Sequence, residues 1–331
     1  MIHATPATAD PNPILDIAIG FMGAQQLFAA NRIGLFTALV DGPKDVATLA
    51  SKTGTATRVT RMLADAMAAF GLLKRTDGVY ALGASAKAYL SGKGADLDLG
   101  PYLTFLEEIS YPHWLQFGDT VRTDAPGDLG MTDERWTTFL AGVMTYNRLH
   151  ADMFAASVDV SGHKRLLDLG GLAPYFAIRA MEANAGLTTT FAYAEGFADK
   201  IIGDIETAGL MDRAVIEEMA TPEARPEGPF DLVFLNHVIH RFNPEQNQRI
   251  LENARAAAST GAKLAMLDFY LDDDAHQRPI DAMHAGEYLV IDGTVVYPQR
   301  EVTDWLAAAG WKVIDIISLP GSPRVLIATA I

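Results

Sequence analysis

The chain has 331 residues, 49% hydrophobic and 20% charged, which is enough apolar material for two domains and too much for global disorder. Its formal charge of −15 disfavours non-specific binding to nucleic acid or to an anionic membrane surface. With no cysteine, it excludes disulfides, thiolate metal sites and cysteine nucleophiles. Met1 to Pro13 has neither a basic start nor an apolar core, so it does not read as a signal peptide, and no apolar run reads as long enough to span a bilayer. The expectation is a soluble cytoplasmic protein with no membrane or nucleic-acid partner.

Taken in chain order, Ile14 to Ala30 places apolar residues at helical spacing, and Asp41-Gly42-Pro43 is a turn. Val46 to Lys52 and Ala56 to Phe70 are two further predicted helices, the second capped by Thr55 or Thr57. Gly71 to Leu82 reads as two short strands around Asp77-Gly78. Three helices and a hairpin give residues 1–100 a winged-helix pattern. From Ile33 to Leu90 there are seven Lys and Arg against four Asp and no Glu, so this piece is mildly basic. The helix in the recognition position, however, offers only Arg58 and Arg61 among Ala, Met, Leu and Val. A DNA reader needs a polar, basic face, so a dimerisation role fits better.

Residues 101–160 read as helices rich in aromatics, including Tyr102, Phe105, Trp114, Trp136 and Tyr146, broken at Pro126-Gly127. They suit a helical linker layer, a few of whose side chains line a substrate pocket. From 161 to 331 strands and helices alternate. Strands are predicted at Arg165–Leu169, Thr189–Ala194, Ala214–Glu217, Asp231–Leu235, Lys263–Phe269, Val313–Leu319 and Arg324–Thr329. The helices fall at Ala198–Ala208, Pro244–Ala258, Arg300–Ala309 and after the first strand, up to Ala183. The pattern is an α/β, doubly wound, mostly parallel sheet.

The chemistry-bearing residues gather at strand ends. Asp168-Leu169-Gly170-Gly171 closes the first strand, where glycine lets a ligand approach the backbone. The alternative is a plain tight turn, because a third glycine is missing at Leu172 and Pro174 stands where a small residue is expected. Glu195 follows the next strand, 27 residues past Asp168, where a carboxylate accepts hydrogen bonds from ribose hydroxyls. His237 and His240 follow Asp231–Leu235 at the functional edge of such a sheet, where a histidine can take a proton. They show no third metal ligand, since His276 and His284 fall in a loop far along the chain, so no metal is expected. Asp268 ends a strand, and Asp272-Asp273-Asp274 reads as a solvated surface turn. Neither a Gly-x-Ser-x-Gly elbow nor a phosphate-binding Walker loop occurs.

Together these segments resemble the dimeric, S-adenosylmethionine-dependent small-molecule O-methyltransferases over nearly the whole chain. Ile33-Gly34-Leu35-Phe36 through Tyr80-Ala81-Leu82 is similar to the family's dimerisation domain, and Leu166-Leu167-Asp168-Leu169-Gly170-Gly171 to its first cofactor motif. Ala208 to Arg213, Leu267-Asp268-Phe269 and Ala308-Ala309-Gly310-Trp311 also fit. Asn236-His237-Val238-Ile239-His240-Arg241-Phe242 resembles the signature His-Val-Leu-His-Asp-Trp. The resemblance implies a Rossmann-like methyltransferase domain, a homodimer, S-adenosylmethionine as cofactor and a small-molecule methyl acceptor. It makes His240 the general base and assigns Asp168, Gly170, Gly171, Glu195 and Asn236 to the cofactor. Tyr146, Arg148, His237, Arg241 and Gln299 become candidates for the acceptor side.

Five features depart from the family pattern, the first being Leu172-Ala173-Pro174 where the family's glycine-rich loop continues Gly-x-Gly. An ungapped comparison puts Tyr193 where the acid after the second strand belongs, and only a two-residue shift brings in Glu195. Ala220-Thr221-Pro222 lacks the family's adenine-holding aspartate. Arg241 replaces the aspartate beside the base, and Gln299 stands where a glutamate orients the histidine. A base without a carboxylate partner is weaker and less firmly held. O-methylation with His240 as base is therefore the main expectation. The alternatives are S- or N-methylation of a carboxylate-bearing acceptor without base catalysis, or a fold that has lost methyl transfer.

Overall fold

The computed structural model describes residues 9–196, 198–273 and 277–331. Most of the stretch read for a leader, together with Asp274 and His276, lies outside the described residues. The chain divides into two compact units. One runs to Tyr111 and takes in Met131–Thr145; the other comprises Pro112–Gly130 and Tyr146–Ile331. The segment 101–160 is thus shared between them.

In the first unit, helices Asn12–Arg32, Val46–Thr53 and Thr57–Ala69 accompany a small antiparallel sheet. Its strands are β1 (Lys44–Asp45), β2 (Leu73–Thr76) and β3 (Val79–Leu82), in the order β1-β3-β2. Asp45 starts the second helix by accepting from the Thr48 amide at 2.7 Å, and Gly54 ends it in the left-handed region. Asp77 and Gly78 both take positive φ, the geometry a tight hairpin needs. The third helix begins differently from expectation. Ala56 is its N-cap, with no side-chain bond, and Thr55 instead lies 2.7 Å from the Thr60 hydroxyl. Leu35, Phe36, Leu49, Leu63, Met67 and Tyr80 form the core.

The helix Asn12–Arg32 corrects the expectation that no apolar run reaches bilayer length. By length and composition it is long and apolar enough to cross a membrane, with a mean hydropathy of 1.3 and only 11% of that window buried. Its charges are confined to Asp16 and Arg32, so the apolar residues are not limited to one packed stripe. Ile14, Ile17 and Phe21 stand exposed.

The second unit is built on a seven-stranded sheet. Its strands are β4 (Arg165–Leu169), β5 (Thr188–Tyr193), β6 (Ala214–Glu218), β7 (Phe230–Phe234), β8 (Ala258–Asp268), β9 (Trp311–Ser318) and β10 (Arg324–Ala330). They lie in the order β6-β5-β4-β7-β8-β10-β9, parallel from β6 to β8, with β10 antiparallel to both its neighbours. The chain moves outward from β4 through β5 to β6, then returns to place β7 on the other side of β4. That reversal opens a crevice at the carboxyl ends of β4 and β7, where ligands bind in such sheets. Leu166 to Leu169 are all buried, as a central strand covered on both faces requires.

The turn after β7 carries the histidine pair. His237 adopts φ +55°, a left-handed conformation uncommon for a residue with a side chain, and its amide donates to the Leu267 carbonyl at 2.8 Å. A short 3-10 turn, Ile239–Arg241, follows, then the helix Pro244–Ala257 with a capping box between Asn243 and Gln246. Asn247, fully buried, donates from Nδ2 to the carbonyls of Ile239 and Phe242 at 3.0 Å each. One side chain therefore holds both ends of the turn that presents His240. Replacing Asn247 with Ala strands these buried carbonyls and is expected to lower stability by about 1–3 kcal/mol in urea denaturation. A loss within the noise of that measurement would show that the capping box alone fixes the turn.

Candidate active site

His240 sits at the crevice with its Nδ1 3.0 Å from Asp268 Oδ1 and 2.9 Å from Oδ2. Asp268, at the end of β8, is 1% exposed. Burial works to raise its pKa, yet the charge and hydrogen bond of His240, with the Phe269 amide, hold it below the usual carboxylate range. An ionised Asp268 at Nδ1 assigns the ring proton there and leaves Nε2 as a proton acceptor. This corrects two expectations. His240 does have a carboxylate partner, and that partner is Asp268. Gln299 is engaged elsewhere: its Oε1 accepts from Arg324 Nη1 at 3.0 Å. Within the acidic run, Asp272 is not free, because it pairs with Arg324 at 2.5 Å and is half-buried, while Asp273 is exposed.

A second histidine pair backs the first. His150, from the helix Asp133–Ala155, and His237 meet at 3.0 Å between Nδ1 and Nε2. Burial pushes the His150 pKa well down, and His237 adds to the effect. His237 falls to about 3, again chiefly through burial. Both rings are neutral near pH 7, so one donates to the other. His284 was expected in a loop but lies on the helix Pro279–Asp292, stacked 3.7 Å from the Phe269 ring. Tyr288 of that helix lies 4.5 Å from the His240 ring, and Tyr146 lies 4.0 Å from His150. No helical periodicity shows here because the packed positions Asp281, His284 and Tyr288 carry polar or aromatic side chains rather than aliphatic ones.

On the other lip of the crevice, Gly170 takes φ +73°, as the strand-to-loop turn demands. A Cβ on it would lie 2.4 Å from Thr221 Cγ2, and one on Gly171 would lie 2.9 Å from the Tyr193 hydroxyl. Tyr193 thus fills the space beside the loop. Its hydroxyl is 2.7 Å from Asp168 Oδ2 and 3.1 Å from the Ala173 carbonyl. Burial raises the Asp168 pKa to about 7, against the hydrogen bond from Tyr193. Arg241 Nε donates to the His237 carbonyl at 3.0 Å, and Nη2 donates to the Gly170 carbonyl.

Of the sequence candidates, the structure brings together Asp168, Gly170, Gly171, Asn236, His237, His240, Arg241 and Tyr146. Arg148 instead lies over the Tyr175 ring in a separate cleft with Arg179 and Asp204. Glu195 is exposed in the turn after β5. Residues 237, 240 and 268 also offer ligand atoms within 4.8 Å of one another, a grouping not anticipated. Two of those three are already joined as base and partner.

Fold and site define the class: the chain belongs to the small-molecule O-methyltransferase family. The O-methyltransferase dimerisation domain family matches residues 15–92. The 3-hydroxy-5-methyl-1-naphthoate 3-O-methyltransferase of Streptomyces sahachiroi is 33% identical over 97% of this chain and 96% of that enzyme. The fold is shared with the S-adenosylmethionine-dependent methyltransferase SibL in its apo form, at a TM-score of 0.84 and 22% identity over 97% of this chain and 99% of that one. It is shared too with human N-acetylserotonin methyltransferase in complex with SAM, at a TM-score of 0.77 and 21% identity over 98% and 99% of the two chains.

The family's cofactor carries an ammonium, a carboxylate and a nucleoside. Among the described residues Asp168 Oδ1 and Asn236 Nδ2 are buried with no hydrogen-bond partner, an acceptor and a donor. These fit the amino-acid end of such a ligand, since buried polar groups are ordinarily satisfied.

The raised Asp168 pKa has a consequence for stability. The folded value, about 7, lies above the ordinary 3.8, so between them the folded state holds the proton more tightly. Stability from this group is full below about pH 4 and declines as pH rises to about 7, by on the order of 4 kcal/mol. Asp168→Asn keeps an acceptor for Tyr193 and removes the titration. Its melting temperature relative to the parent is expected to rise from pH 5 to about pH 7 and then level off; a pH-independent difference would mean Asp168 is ionised throughout.

Proposed function

We propose that the chain methylates a hydroxyl on a small acceptor, using S-adenosylmethionine, with His240 as general base. The observation that carries this is the His240–Asp268 pair at the switch-point crevice, facing the glycine loop across the ends of β4 and β7. Asp168, Gly170, Gly171 and Asn236 would hold the amino-acid end of the cofactor, with Glu195 left for the ribose. When bound, the cofactor supplies an electrophilic methyl group on a sulfonium. The chain's own residues do the rest. His240 Nε2 accepts the acceptor's hydroxyl proton as the oxygen attacks, and Asp268 keeps Nδ1 protonated and stabilises the imidazolium. The half-buried ring of Tyr288, 4.5 Å from the His240 ring, offers an aromatic surface against which an aromatic acceptor is oriented.

His240→Ala is expected to lower turnover by about 10²–10⁴-fold while calorimetric binding of S-adenosylhomocysteine is retained. Asp268→Asn is expected to reduce turnover in the same direction, by freeing the ring and its tautomer. Unchanged turnover in His240→Ala would instead assign an acceptor that needs no deprotonation, such as a thioether.

We assign the winged-helix pattern of residues 1–100 to homodimerisation and 161–331 to cofactor binding and chemistry, in a cytoplasmic protein. The match of residues 15–92 to a dimerisation domain and the exposed Ile14, Ile17 and Phe21 support this. A charge at Ile17, 84% exposed, would then fall in an apolar interface. Ile17→Asp is expected to shift the protein from dimer toward monomer in sedimentation equilibrium without detergent. An unaltered dimer would move the interface elsewhere.

A further inference from the structure

Arg241 is the group at this site that the proposed reaction does not use. It stands directly after the base in sequence, and its guanidinium spans the crevice from the His237 carbonyl to the Gly170 carbonyl. Both acceptors are backbone oxygens, which satisfy hydrogens but carry no net charge. Among the described residues Arg241 forms no ion pair. Asp268 is the compensating charge it feels, and Asp268 is committed to His240. Asp168, on the strand that leads to Gly170, is engaged by the Tyr193 hydroxyl, and among the described residues it forms no ion pair with Arg241. Burial draws the Arg241 pKa down to about 10, which still leaves a cation near pH 7.

A cation withdrawn from water without a counter-charge is costly, and the cost disappears when an anion joins it. Of the five N–H groups a guanidinium carries, two serve the carbonyls. The rest match the paired oxygens of a carboxylate, the anion a planar fork recognises best. Arg241 is only half-buried, so a ligand can reach it. The neutral His150–His237 pair behind it offers no anion of its own.

We propose that Arg241 is a carboxylate receptor in the crevice, completed by the carboxylate of a ligand rather than by any residue of the chain. Two ligand carboxylates can reach such a receptor. One belongs to the amino-acid end of the cofactor, on the Gly170 side. The other belongs to an aromatic hydroxy acid serving as methyl acceptor, on the His240 side. The second source rests on the methyl-transfer reading above and narrows its substrate class to hydroxy acids; the first rests on the cofactor fit alone.

The test is calorimetric titration of the full-length protein and its Arg241→Met variant with four probes. These are S-adenosylhomocysteine, its decarboxylated counterpart, a hydroxynaphthoate and the matching naphthol. If Arg241 binds the cofactor's carboxylate, the variant loses about tenfold or more in affinity for S-adenosylhomocysteine and nothing for the decarboxylated analogue. If it binds the acceptor's, the same split separates hydroxynaphthoate from naphthol. Equal weakening of each carboxylate and its carboxylate-free counterpart would make Arg241 a structural strut and overturn the proposal. Should the variant not fold, the parent decides: no preference for either carboxylate over its counterpart overturns it equally. Acid binding without methyl transfer would leave this receptor standing while the function proposed above fails.

Discussion

A carboxylate can be buried as an ion only where hydrogen bonds replace its water, and Asp268 finds them in His240 and the Phe269 amide. The rest of the site follows from that pairing. His240 can reach Asp268 only because the 3-10 turn after β7 carries it over the end of β8, and the turn keeps its shape through Asn247 and the left-handed His237. Oriented in this way, the imidazole has its acceptor nitrogen free and its donor nitrogen fixed, which is the state proton removal from a hydroxyl requires.

Around this pair the crevice is organised by groups whose charges have been suppressed. His150 and His237 are kept neutral by burial, and Asp168 is raised to about 7. A dry surrounding of neutral groups strengthens the fields of those that remain charged. Asp268 is held ionised there, and Arg241 remains a cation. The site thus presents one anion already satisfied from within and one cation whose counter-charge lies outside the chain. This asymmetry is opposite in sign to the protein's net charge of −15 and belongs to the crevice alone.

Much of this architecture was legible in the sequence. The strand Arg165–Leu169 was read to the residue, because a buried parallel strand is a continuous apolar run bounded by glycine. The neighbouring strands were found within a residue or two, except β8, whose polar beginning at Ser259-Thr260-Gly261 hid its first five residues. His240 was singled out from the pattern after β7. Its partner was not, since Asp268 looks like any acid at a strand end until β8 is laid beside β7. Gln299 was favoured by resemblance to a glutamate, whereas it serves Arg324. Tyr193, from an ungapped comparison, was suspected only as a missing acid; the structure makes it the hydroxyl that closes the glycine loop.

The sequence by itself determined the order of strands and helices, the glycine turn and the identity of the histidine at the functional edge. These depend on local periodicity and on conformations that only certain residues accept, and both are written over a few consecutive positions. Only the tertiary structure decided which carboxylate meets His240, that His150 pairs with His237 across 87 positions, and that Arg241 finds carbonyls rather than an acid. Those outcomes depend on burial and on distances between strands that are remote in sequence. Burial sets the charge each group can carry, and it is a property of the packed sheet that no short stretch of chain records.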